Sequence, residues 1–131
     1  NWSLEHVHYP TLYLEECKRI IKPGGKIIIN VPNSNGIIYK IFPNCVEVPI
    51  HLFSFSTNSF KKYCDKLDLK VVNYFTFSTL GLFLTGMNLM GRSDIDKYYV
   101  KNHGEAIQLQ NFLNLLSDSD MGNDMCFNLT K

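Results

Sequence analysis

Residues 3–33, SLEHVHYPTLYLEECKRIIKPGGKIIINVPN, decide the fold of this chain. They contain a predicted helix that begins at Pro10, a turn at Gly24 and Gly25, and an apolar, β-branched run at residues 26–31. Proline suits the first turn of a helix, where its missing N–H has no partner, and glycine suits a reversal that needs positive φ. Strands this apolar are typical of those covered on both faces. The stretch therefore predicts half of a βαβ unit.

Helical spacing of apolar residues predicts three helices that each pack one face against a sheet. The first helix should bury five residues: Tyr13, Leu14, Cys17, Ile20 and Ile21. A second helix should run to Lys66 with Thr57 as its N-cap, and a third is marked by the pattern between Ala106 and Leu116.

Alternating patterns predict two further strands. The first, over residues 69–77, should place five residues on one side: Leu69, Val71, Asn73, Phe75 and Phe77. In the last strand, Met125, Phe127 and Leu129 alternate with more polar neighbours. Residues 34–55 are predicted to be a long irregular connection, and connections of that length commonly carry function.

Composition and charge argue against several classes of protein. The net charge is +1 with both signs mixed along 131 residues, so no basic surface for nucleic acid or anionic membrane is predicted. Residues 71–91 carry no charge, but their polar groups and three glycines argue against stable membrane insertion. The four cysteines form no CxxC pair, which favours free thiols and a cytoplasmic location.

These segments resemble the class I S-adenosylmethionine-dependent methyltransferases, in the group that acts on small molecules, quinones and sugars. The matching segments are SLEHV and HYP, LEECKRIIKPGGKIIINVPN, VPIHLFSFSTNSFKKYC and NDMCFNLTK. The resemblance implies an α/β, Rossmann-like fold, with strands four to seven in a mixed sheet, an antiparallel last strand and helices on both faces.

The resemblance also leaves a part of the family pattern unmatched. No GxGxxG occurs in the sequence, and the family's first strand, glycine-rich loop and ribose-binding acid would precede Asn1. We therefore expect residues 1–131 to form the C-terminal part of a methyltransferase domain, without the N-terminal cofactor-binding half. Such a chain alone should bind S-adenosylmethionine poorly and be inactive.

The resemblance places the site residues at the ends of residues 3–33. Asn1, Trp2, Ser3 and His6 match the segment that passes beside the cofactor, S-adenosylmethionine. His6 and His51 are candidate general bases, because an imidazole with a pKa of about 6.5 can remove a proton from a substrate hydroxyl. For His6 the alternative is a hydrogen-bonded structural residue at the rim.

Three residues are candidates for substrate binding: Asn33, His51 and Phe53. Asn33 follows the predicted strand at the ligand edge of the sheet, where its amide could orient a substrate. Asparagine after VP is equally a common turn former, and Phe53 could instead pack in the core.

Glu5, His6 and His51 include the donor types of a divalent-metal site. They resemble the Glu-x-x-Glu-His motif and later histidine with which small-RNA 2′-O-methyltransferases bind a metal. The first of those glutamates would fall at Trp2, which cannot ligate, so no metal is predicted and the sequence leaves open whether the three bind an ion.

The expected reaction is methyl transfer to an O, N or C nucleophile of a small-molecule substrate. The alternative is a non-catalytic, truncated module that pairs with itself or a partner, and a metal-dependent RNA methyltransferase is the less favoured third. A homodimer could form through the exposed sheet edge or through the apolar segment Leu80–Met90.

Overall fold

The structure is a computed structural model that describes residues 2–42 and 49–131. Asn1 and Cys45, which the predictions above include, lie outside the described residues. The helices are α1 (Pro10–Ile20), α2 (Ile37–Ile41), α3 (Thr57–Lys66), α4 (Leu80–Leu89), α5 (Ser93–Lys101) and α6 (His103–Asp118). The strands are β1 (Ile27–Pro32), β2 (Lys70–Phe77) and β3 (Asp124–Thr130). The fold class is α/β, as predicted.

The three strands form one sheet in the order β1-β3-β2, with β3 antiparallel to both neighbours. The prediction that the last strand runs antiparallel is confirmed. A mixed sheet was the wrong expectation for the described strands, because β3 separates the two strands that run in the same direction. Parallel pairing is confined here to an isolated bridge between Asn33 and Phe55.

The hydrophobic core lies on one face of the sheet, under α1 and α3. Leu14 of α1 and Phe60 of α3 are fully buried, and the Phe60 ring lies 4.7 Å from that of Phe127 in β3. The sequence predicts helices on both faces, whereas Ile28 and Phe75 on the other face are 58% and 54% exposed. The described helices thus leave part of that second face uncovered.

The buried face of α1 differs from the predicted one. Leu14 is buried, and Cys17 and Ile21 are half-buried against the core, as predicted. Tyr13 and Ile20 were wrongly assigned to this face, because they are 40% and 62% exposed. Leu14, Cys17 and Ile21 follow the i, i+3, i+7 spacing of a single helix face. Tyr13 and Ile20 lie beside that face and not on it.

A bulge in β2 reverses the predicted alternation. Val71 pairs with Leu129 but Asn73 pairs with the adjacent Asn128, so Val72 is an extra residue in the strand. Beyond it, Tyr74 stacks on Phe127 in the core, with ring centroids 5.0 Å apart. The prediction that Asn73, Phe75 and Phe77 share a side with Leu69 and Val71 is therefore wrong.

Local elements also differ from their predicted limits. The connection predicted to be irregular contains α2, and residues 79–102 form α4 and α5. Ser56, rather than Thr57, caps α3, since its hydroxyl accepts from the Ser59 N–H at 3.1 Å. No helix in the described ranges has the length and apolar character needed to cross a bilayer. Cys17, Cys64 and Cys126 are free thiols, as predicted.

Candidate active site

A cavity of about 380 Å³ opens beside Pro32, at the end of β1. Its lining contains two imidazoles, two carboxyl groups and an indole, from His6, His51, Glu5, Asp124 and Trp2. A neighbouring cavity of about 320 Å³ shares Pro32, Tyr39 and His51 and continues along residues 52–54. Together they form a cleft at the edge of the sheet where β1 ends.

Backbone hydrogen bonds hold the segment around His51 against the segment around Glu5. The Glu5 carbonyl accepts from the N–H groups of Leu52 and Phe53, at 2.8 and 3.2 Å. The His6 ring adds a bond to the Ile50 carbonyl at 3.1 Å. As a result, the two candidate bases lie side by side, with a distance of 4.7 Å between the ring centroids of His6 and His51.

The bond to Ile50 determines which nitrogen of His6 carries a proton. A carbonyl oxygen only accepts hydrogen bonds, so Nδ1 of His6 must be the donor. In the neutral ring Nε2 then carries the lone pair, and it lies 3.6 Å from Oε1 of Glu5. His6 therefore presents the nitrogen that a general base needs.

Glu5 is buried in the floor of this cleft. Its side chain is 1% exposed, and neither carboxylate oxygen accepts a hydrogen bond from residues 2–42 or 49–131. Removing a carboxylate from water without a partner carries a large free-energy cost, so an uncompensated acid here requires a cation, a proton or a donor. The His6 ring lies beside it, with Nε2 3.6 Å from Oε1 of Glu5.

Asp124, at the start of β3, is a second buried acid that sequence reasoning missed. The indole N–H of Trp2 donates to its Oδ1 at 3.0 Å, while Oδ2 has no partner among the described residues. Burial raises the pKa of the Asp124 carboxyl to about 6, with a smaller contribution from the Glu5 charge, while the Trp2 bond opposes the rise. Its signal in the sequence is an acid at the start of a strand whose next three residues, 125–127, are apolar.

The structure gives Asn33 extensive hydrogen bonds within the fold. Its side chain is fully buried, and Nδ2 donates to the carbonyls of Asp120 and Gly122 at 3.0 and 2.8 Å. Its Oδ1 accepts from the Asn35 N–H at 3.1 Å. The amide would have to break these bonds to bind a substrate, so substrate binding by Asn33 stays a prediction.

The remaining predicted residues lie around the cleft. Phe53 is 37% exposed, lines the second cavity and stacks on Phe55 with centroids 6.2 Å apart. Trp2 lines the first cavity with half of its surface exposed, and the Ser3 carbonyl accepts from the His6 N–H at 3.1 Å. Trp2, Ser3, His6, His51 and Phe53 are therefore brought to one side of the molecule.

Comparisons with known proteins find sequence similarity over part of the chain. The ubiquinone biosynthesis O-methyltransferase of Pseudomonas syringae pv. tomato is 33% identical over 60 residues, which cover 46% of this chain and 26% of the relative. A 60-residue part of this chain is similar to ubiquinone biosynthesis O-methyltransferases, and it spans about a quarter of their length. The enzyme of the same name from Pseudomonas aeruginosa (strain LESB58) is 32% identical over 60 residues, again 46% of this chain and 26% of the relative. No protein-family model matches the chain.

Proposed function

We propose that this chain is part of an S-adenosylmethionine-dependent methyltransferase that methylates a hydroxyl oxygen of a small molecule. The observation that carries the proposal is the pair His6 and His51 at the mouth of the cleft, in a chain partly homologous to O-methyltransferases. The antiparallel β3 and the position of the cleft at the end of β1 support a Rossmann-like domain, with the described strands as the later part of its sheet.

The residues around the first cavity fit one wall of a site for a sulfonium cofactor. S-adenosylmethionine would supply an electrophilic methyl group on a positively charged sulfur. Trp2 offers an aromatic face. Both carboxylate oxygens of Glu5 and Oδ2 of Asp124, which accept no hydrogen bond from the described residues, favour a cation nearby. Trp2, Ser3 and His6 are the described residues that would flank it.

The two imidazoles would orient the acceptor hydroxyl and accept its proton. As the acceptor oxygen becomes bonded to carbon, its proton must leave, and the unprotonated Nε2 of His6 can receive it. His51 lies beside His6 and faces both cavities, so it can orient the same hydroxyl. The exposed part of Phe53 would contact the apolar part of the substrate. Most of the rate enhancement would come from positioning.

Binding and activity measurements test this proposal. S-adenosylmethionine is titrated into the 131-residue chain by calorimetry, and transfer of a labelled methyl group to a panel of phenols is then followed. For a chain without a glycine-rich cofactor loop we expect weak binding and slow transfer to oxygen, and His6→Gln should lower that rate by about 10²–10⁴-fold. The exposed neighbour His8→Gln is the matched control and should keep its rate. Absence of cofactor binding would count against this function for the chain.

A non-catalytic module is the second candidate, and the exposed sheet favours it. β1 forms an edge of the described sheet, and Ile28 and Phe75 expose apolar surface on its second face. This candidate predicts a concentration-dependent dimer in sedimentation velocity, together with no heat on addition of S-adenosylmethionine. Ile28→Lys should weaken such a dimer, whereas the exposed Ile107→Lys on α6 should leave it unchanged.

A further inference from the structure

We infer that the molecule receiving the methyl group carries an acidic group, which Lys62 and Lys66 bind in a groove beside the cleft. The groove is a cavity of about 590 Å³ between the start of α1 and α3. The inference rests on the proposed function, because it names the class of molecule that the site would methylate. That class is a hydroxyl compound with an apolar middle and a carboxylate or phosphate at its far end.

The first argument is the charge of the groove. Lys62 and Lys66 lie one helical turn apart on α3, and both line the groove. Glu15 and Asp65 lie on the same two helices, but no acid is among the described residues that line the cavity. Two cations without an acid beside them in the lining favour an anionic ligand.

The second argument is that both ammonium groups are available to a ligand. Other lysines of α1 and α3 are engaged within the fold, since Lys18 pairs with Asp68 at 3.1 Å and Nζ of Lys61 lies 3.7 Å from the centroid of a tyrosine ring in β2. The exposed ammonium groups of Lys62 and Lys66 make no ion pair, hydrogen bond or ring contact with the described parts of the chain. An incoming anion therefore displaces no internal partner.

The third argument is the apolar lining of the groove. Phe55 is buried and stacks on Tyr63 with ring centroids 6.0 Å apart, which gives the groove an aromatic floor. The Tyr63 hydroxyl shares a hydrogen bond with Oγ1 of Thr11 at 2.8 Å, so α1 and α3 are linked across the groove. Leu12 of α1 adds exposed apolar surface. An apolar floor beside two cations suits an amphiphilic anion better than an inorganic one.

The fourth argument is that the groove continues into the cleft. Phe53 and Ser54 line both the groove and the cavity of about 320 Å³, and His51 lines that cavity and the one beside His6. A fully extended chain spans at most about 3.6 Å per residue, so His51 and Phe55 lie at most about 14 Å apart. A molecule whose hydroxyl lies at His51 would reach the groove with an acidic group on the order of 10 Å away.

Ligand binding to the 131-residue chain tests the inference without S-adenosylmethionine. The first probe is decanoic acid with a terminal para-hydroxyphenyl group, and its methyl ester is the uncharged match. The corresponding decyl phosphate distinguishes a phosphate from a carboxylate, because the tighter of the two anions names the group. We expect the tighter anion to bind at least about tenfold more strongly than the ester in calorimetry, with an affinity that falls as salt is added.

Paired lysine variants locate the anion. Lys62→Gln combined with Lys66→Gln should weaken binding of the acid by about 5- to 30-fold and leave binding of the ester unchanged. Lys97→Gln combined with Lys101→Gln changes the net charge equally, at two exposed lysines with the same spacing on α5, and should bind both probes as the parent chain does. In NMR, the acid should shift amide signals of α3 and of the residues around His51.

Three results would overturn the inference. One is equal affinity for the anions and the ester, or no binding of any probe at millimolar concentration. A second is an equal loss in both double variants, which would assign the effect to net charge. The third is a set of NMR shifts confined to α3, which would mean that the bound anion does not reach the cleft. None of these measurements requires methyl transfer, so they are separate from the failure of the proposed function, which a lack of S-adenosylmethionine binding would show.

Discussion

The indole N–H of Trp2 donates to Oδ1 of Asp124 at 3.0 Å, joining two residues that are 122 positions apart in the chain. The Trp2 ring also meets the edge of Phe77, with centroids 6.3 Å apart. The segment that carries Glu5 and His6 is thereby fastened to the ends of β2 and β3. The geometry of the cleft therefore depends on contacts made by Trp2.

Trp2→Phe should destabilise the fold by about 1–2 kcal/mol, because it removes the hydrogen bond that the indole N–H donates to the buried carboxyl group of Asp124. Urea unfolding at neutral pH measures the change. Tyr9→Phe, at a side chain that is 72% exposed, is the control and should stay within about 0.5 kcal/mol of the parent. Equal stability of Trp2→Phe and the parent chain would show that this bond contributes nothing.

Asp124→Asn should stabilise the chain increasingly as pH rises. The pKa of Asp124 is about 6 in the fold against a usual value of 3.8, so the folded state binds the proton more strongly than the unfolded state. The stability that protonation contributes is complete below pH 3.8 and is lost as pH rises through 6. That loss is about 3 kcal/mol in the parent chain and absent in the variant.

Urea unfolding of both chains between pH 4 and 7.5, with a chelator present, measures this difference. Asn111→Ala, at an exposed position of α6, is the control, and its difference from the parent should not change over this range. A stability difference between Asp124→Asn and the parent that stays constant with pH would contradict the raised pKa.

Asn33→Ala should cost about 2–3 kcal/mol, because it leaves the buried carbonyl of Gly122 and the Asn35 N–H without their partner. Thermal and urea unfolding both report the loss. Asn58→Ala, at an exposed position of α3, should change stability by less than about 0.5 kcal/mol. If Asn33→Ala kept its stability but weakened ligand binding, the side chain would be a binding residue instead.

Gly122→Ala should destabilise the fold by about 2–3 kcal/mol, since its Cβ would clash with the backbone nitrogen of Phe77 and lie 2.8 Å from Oγ1 of Thr76. Gly104→Ala is the matched variant, because its Cβ would meet nothing within 4 Å and it lies in α6. There alanine should stabilise the fold by about 0.4–1 kcal/mol. Differential scanning calorimetry compares them, and equal shifts in Tm would refute the close approach at Gly122.

The parts of the fold that depend on local pattern were predictable from sequence. Gly24 has a φ of +74°, as the turn around it predicts, and Met125, Phe127 and Leu129 are buried on one face of β3. These features depend only on the conformational freedom of single residues and on strand alternation.

The features that were not predictable depend on distant partners. The bulge at Val72 shifts the register against β3, and no residue type in β2 requires that shift. The same holds for the site. Its two histidines were found from residue type and resemblance, whereas the partnership of Trp2 with Asp124 joins opposite ends of the chain and has no local signal.

The position of β3 in the sheet affects how this chain folds while it is being synthesised. β3 comes last in sequence among the described strands but lies between β1 and β2 in the sheet. β1 and β2 each pair with β3 and not with each other. During translation, β1 and β2 therefore leave the ribosome with their inner edges unpaired until β3 follows. Slow synthesis of residues 78–123 would prolong the exposure of those edges. We therefore expect chaperone binding and aggregation of nascent chains to be most frequent after β2 is synthesised and before β3 is.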